Sequence, residues 1–77
     1  MNRAASNHTA TCPSAQLNAR VRGAFMLIGE HLSDWSRKNG YHRQNVYDAL
    51  VGKWDGPRAR EIRAEVVAYL ASKGITL

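Results

Sequence analysis

Arg43 and Gln44 stand side by side in the stretch HRQNVYD, with His42 before them and Tyr47 and Asp48 one helical turn on. All of these side chains end in hydrogen-bonding groups. A guanidinium donates two parallel bonds, which match the O6 and N7 acceptors on a guanine edge. A carboxamide offers a donor and an acceptor together, which match N7 and N6 of an adenine. This is recognition chemistry. Bond-making chemistry would need a nucleophile with a partnered base or a glycine-rich phosphate loop, and the chain has neither. Its carboxylates are scattered among arginines on helical faces, so no enzyme is expected. Of the side chains able to ligate metal, only His8 and Cys12 have ligand-like spacing, with His31 and His42 far along the chain. Structural zinc wants about four ligands. No metal and no cofactor are therefore expected.

Those residues need a rigid element beneath them. From Arg43 to Leu50 the apolar residues Val46, Ala49 and Leu50 recur three and four apart, which predicts a helix that Gly52 ends. Its inward face is then that apolar set. His42, Arg43, Gln44, Tyr47, Asp48 and Val51 are left outward. Upstream, Ser33 is a helix-start signal and Asp34 suits the positive end of a helix dipole. The dipeptide Asn39-Gly40 stops this helix early, with Leu32 and Trp35 facing inward. Two helices crossing steeply need a small residue where their backbones approach, and Ser36 fits that place. The turn needs a residue tolerant of positive φ, which Gly40 supplies. Trp35, Tyr41, Val46 and Leu50 tie the pair to a core.

Two further helices complete the reading. Leu17, Val21, Ala24, Phe25 and Ile28 form one stripe, with Ser14 as N-cap and Gly29 at the C-terminal end; Gly23 inside the run costs about 1 kcal/mol against alanine. Ala59, Ile62, Val66, Tyr69 and Leu70 form another, opened by Pro57 and closed by Lys73 and Gly74. Residues 1–14, rich in Ser, Thr, Asn and Ala, are expected to be a flexible arm, and 15–77 the folded domain. No strand-like alternation of useful length occurs. The expected fold is all-α: a compact bundle of about four helices containing a helix-turn-helix.

A chain of 77 residues has room for one modest core, not for a deep pocket with a separate substrate domain. Its formal net charge of +5 favours an anionic partner, nucleic acid or an acidic membrane surface. The basic amphipathic last helix is needed for the core, which argues against the membrane. Cys12 is the sole cysteine, so no internal disulfide is possible. No apolar run reaches the roughly 18 residues that would span a bilayer, and the N-terminus lacks the apolar region of a secretory signal. A cytoplasmic setting is expected.

The segment Leu32 to Leu50 resembles the helix-turn-helix of lambda-repressor-like regulators, and is most similar to small Ner-like regulatory proteins of Mu-like phages. Trp35, Ser36, Gly40, Tyr41, Val46 and Leu50 carry the likeness, which spans about residues 17 to 74. Ser36 stands where alanine is usual, Asn39 where an apolar residue is usual, and Leu32 where many relatives have a phosphate-contacting glutamine. The resemblance implies a transcriptional regulator, more a repressor than an activator, bound to double-stranded DNA. It implies base contacts from His42, Arg43 and Gln44, with Tyr47 and Asp48 one turn behind. Arg37, Lys38, Lys53, Arg58 and Arg60 flank the motif as phosphate contacts, which orient without reading sequence. One recognition helix reads few base pairs, so a homodimer on paired half-sites is implied. Arg3 in the arm would lie in an adjacent groove.

Blander readings compete at several positions. The surface of the second motif helix would serve equally in a helical protein-interaction module, an anti-repressor or assembly adaptor that binds no DNA. Trp54 is expected to pack the connector on the last helix, and Arg58 to pair with Glu61. Arg63 is expected on a solvated helix face.

Overall fold

A computed structural model of the protein describes residues 12–77. The expected arm falls largely on residues 1–11, which lie outside the described residues together with Arg3 and His8. The helices are α1 (Ala15–Leu27), α2 (Leu32–Lys38), α3 (Arg43–Val51) and α4 (Pro57–Ser72), with no strand among the described residues. The fold is the all-α bundle expected from the periodicity.

Helix starts follow side-chain chemistry. Ser14 Oγ accepts the Leu17 N–H at 2.9 Å, and Pro57 opens α4 where a missing N–H costs nothing. Ser33, the expected start signal, is instead inside the first turn of α2; the N-cap is His31, in extended conformation and without a side-chain capping bond. The Trp35 amide that a capping Ser33 would accept already donates to His31 O at 3.1 Å, so the sequence signal and the geometry part here.

The ends of α1, α2 and α4 close in one way. After α2, Tyr41 N–H donates to Ser36 O at 2.8 Å and Gly40 N–H to Arg37 O at 3.1 Å, the paired closure that needs a left-handed residue between. Gly40 supplies it with φ +78°. Asn39 turns its amide back to donate to Trp35 O at 2.8 Å.

The core unites all four helices. Leu17, Val21, Ala24 and Phe25 of α1 meet Trp35 of α2, Val46, Ala49 and Leu50 of α3, and Ala59, Ile62, Val66 and Leu70 of α4, all buried. Full burial of one such aliphatic side chain contributes roughly 1.5–3 kcal/mol. Phe25 stacks on Tyr69 with ring centroids 5.7 Å apart, while Trp35 tilts against Phe25, Tyr41 and Tyr69. Ser36 is buried as the crossing requires, its hydroxyl returned to Leu32 O at 2.8 Å. Trp54 is half-buried against the core from the connector.

Two further expectations are corrected. Arg63 is no solvated residue: it is 6 % exposed, donating to Ala49 O at 2.8 Å and to Asp55 Oδ1 at 2.6 Å. Its place is set by α4, whose apolar stripe Ala59, Ile62 and Val66 brackets it at helical spacing, so the cation is carried inward and must be satisfied there. Residues 12–14, assigned to the arm, are tied down. Ser14 N–H donates to Leu50 O at 2.9 Å, and Pro13 lies against Gly52, where an added Cβ would come within 3.2 Å of the Pro13 Cβ.

Candidate nucleic-acid interface

α3 is held by one side only. Val46, Ala49 and Leu50 are buried against α4 and α1, which leaves His42, Arg43, Gln44 and Tyr47 exposed along the opposite side. Gly40 and the two residues after it set the angle at which α3 leaves α2. His42 is the N-cap of α3, and its Nδ1 accepts the Gln44 N–H at 3.2 Å. This bond fills one of the amides that a helix start leaves open. It also means that His42 has a structural task in addition to any outward contact.

Asp48 differs from its neighbours in being half-buried, and its Oδ1 accepts from Gln44 Nε2 at 3.0 Å. The bond orients the carboxamide. One Nε2 hydrogen is committed, while the second hydrogen and Oε1 stay available as a donor and acceptor pair. Arg43 makes no ion pair among the described residues.

The expected flanking cations are not equivalent. Arg37 pairs with Asp34 at 2.9 Å, an exposed pair within one helix turn. Arg58 pairs with Glu61 at 2.7 Å, as the sequence spacing suggests, and lies 5.0 Å from the Tyr41 ring centroid. Tyr41 in turn donates to Glu65 Oε1 at 2.6 Å, and this bond, ahead of burial, holds its phenol above the ordinary tyrosine range. Lys53 sits 5.7 Å from the Tyr47 ring centroid, beside the exposed row of α3. Lys38 and Arg60 are exposed, with no carboxylate at ion-pair distance among the described residues. The geometry thus gathers Lys53 with Arg43, Gln44 and Tyr47, and draws Arg58 into a cluster on α4.

No family model matches the chain, and no curated protein or solved structure is significantly similar to it.

A residue absent from the sequence-based candidates also belongs here. Arg22 of α1 lines a cleft of about 390 Å³ together with Arg43, Gln44 and Tyr47. Asn18 lines it too, and its Oδ1 is buried without a hydrogen-bond partner among the described residues. In the sequence Arg22 is merely the polar neighbour of the core residue Val21. Only the packing of α1 beside the front of α3 brings it to this place. Among the described residues no group of three or more metal-ligating side chains occurs, and no helix is long and apolar enough to cross a membrane.

Proposed function

We propose that the protein binds double-stranded DNA sequence-specifically, with α3 entering the major groove and α2 crossing above the backbone, and acts as a phage or prophage type of transcriptional regulator, more a repressor than an activator. One observation carries the reading. α3 buries its apolar face completely and presents, on the other, a guanidinium with no ion pair among the described residues beside a carboxamide that Asp48 orients. Arg43 suits the O6 and N7 edge of guanine, and Gln44 suits adenine with the donor and acceptor that Asp48 leaves it. Asp48 is then an orienting residue before it is a contact. Lys53 supplies backbone charge at the end of α3, and the net charge of +5 strengthens attraction to any duplex. The likeness to lambda-repressor-like, Ner-like regulators supports the assignment, and two copies on half-sites one helical turn apart would give useful affinity.

The competing reading, a protein-interaction module, draws on Met26 and Leu27, which are 69 % and 81 % exposed at the end of α1. Anisotropy titration of a mixed duplex library at two salt concentrations separates the two. DNA binding that falls steeply with salt, followed by enrichment of one sequence, supports the regulator. Binding no stronger than that of an unrelated protein of equal charge rejects it.

A further inference from the structure

Arg22 and Arg43 reach one cleft from different helices, α1 and α3. Among the described residues no Asp or Glu lines that cleft. Among the described residues neither arginine has a carboxylate at ion-pair distance, whereas Arg37, Arg58 and Arg63 each have one. Two cations facing a concave space repel each other, and the walls focus their field outward. An anion seated between them removes the repulsion and gains from both.

We infer that this cleft seats a phosphodiester of the DNA backbone, with Arg22 as a phosphate contact that the sequence does not reveal. The inference rests on the DNA-binding reading and deepens it. Arg43, Gln44 and Tyr47 belong both to the exposed row of α3 and to the cleft wall. A strand bordering the groove that α3 enters therefore runs past the cleft mouth. The Ser33 hydroxyl lines the same space as a neutral donor, and the guanidinium fork of Arg22 matches phosphate oxygens in pairs. Met26 contributes an apolar side chain to the lining. The recognition helix is thereby pinned on two flanks, by Arg22 from α1 and by Lys53 after its last turn.

The test uses the full chain. The Arg22 side chain is exposed and makes no hydrogen bond among the described residues, so Arg22→Gln should melt with the parent protein. In anisotropy titrations of duplex DNA, R22Q should lower the salt slope by about one unit, so that the loss of affinity between about 50 and 200 mM salt shrinks roughly fourfold. The loss should be equal on preferred and random duplex, and Arg22→Lys should keep the slope. In parallel, the side-chain N–H signals of Arg22 and Gln44 are followed by NMR as inorganic phosphate is added. Both should move in the parent, and Gln44 should stop moving in R22Q. If the parent binds duplex and R22Q keeps its slope, the cleft proposal is overturned and the DNA-binding reading survives. If phosphate moves Arg22 but no duplex binds, the DNA source is rejected along with the regulator reading. Silence of both signals towards phosphate also overturns the cleft.

Discussion

The guanidinium of Arg63 donates to the carbonyl oxygen of Ala49 at 2.8 Å, joining the middle of α4 to the last turn of α3. Its other arm holds Asp55 at 2.6 Å, so one buried side chain fixes both the end of the exposed helix and the connector that follows it. Arg63→Ala would leave the Ala49 carbonyl without its partner in a water-poor place. We expect a loss of about 2–4 kcal/mol in urea denaturation, and a smaller loss for Asp55→Ala, which leaves the bond to Ala49 O in place. Equal losses for the two variants would show that the bond to Ala49 O carries nothing.

Three glycines are expected to respond differently to alanine. Gly23 is exposed inside α1 with open space around it, so Gly23→Ala should stabilise by about 0.4–1 kcal/mol through a stiffer unfolded chain. Gly40 has equally open space but φ +78°, and its alanine variant should lose about 1–2 kcal/mol to backbone strain alone. Gly52 has φ +97° and Pro13 at 3.2 Å from the new Cβ, so Gly52→Ala should lose more than Gly40→Ala. Thermal melts rank the three. A stabilised Gly40→Ala would contradict the turn geometry.

Stability should fall at both ends of the pH scale for separate reasons. The hydrogen bond from Arg63 holds the Asp55 carboxyl below its ordinary value, so its contribution is complete above the ordinary aspartate value of about 3.9 and is lost as pH drops through the lowered one. Tyr41 and Tyr69 are raised chiefly by donating to Glu65 and Glu30, so their contributions are complete below about 10 and are lost as pH rises through the raised values. Asp55→Asn should flatten the acid limb of a melting-temperature profile and leave the alkaline limb alone. Tyr69→Phe should do the reverse.

On DNA, Arg43 and Lys53 should separate base reading from charge. Arg43→Ala should lose about 1–3 kcal/mol on the preferred duplex and relax the sequence preference. Lys53→Ala should weaken all duplexes alike and flatten the salt slope by about one unit. Competition titrations against preferred and scrambled duplex distinguish them, and an equal loss on both duplexes for Arg43→Ala would remove it from the reading surface.

The Asp48 bond to Gln44 predicts an indirect effect. Asp48→Ala should free the carboxamide to rotate, lowering discrimination at the base proposed for Gln44 while leaving the melting temperature nearly unchanged. Retained discrimination in selection experiments would mean that the 3.0 Å bond does not orient Gln44 on DNA.

The architecture was legible because its signals are local. The left-handed glycines at 29, 40, 52 and 74 fall at the helix ends where the residue types put them, and the apolar stripes rotate correctly into the core. Arg63 was misread although it lies four residues after Ala59 and three before Val66, on the buried stripe itself. Its charge outweighed its position, when position and the nearby Asp55 together described a satisfied inward cation. Arg22 and the docking of Pro13 on Gly52 were not legible at all. Both depend on where α1 lies against α3, a tertiary relation between segments that carry no shared pattern. Whether the exposed row of α3 reads DNA is likewise a property of a partner, and only the shape and charge offered to it are written in the chain.

The two tryptophans give the protein a pair of optical gauges placed at different depths. Trp35 is wrapped by Phe25, Tyr41 and Tyr69, so its emission should shift only when the aromatic cluster opens. Trp54 sits in the connector beside Asp55, one strand of chain from the end of the exposed helix. Single-tryptophan variants would therefore report loosening of that connector separately from global melting. Both signals are intrinsic to the chain and need no attached dye.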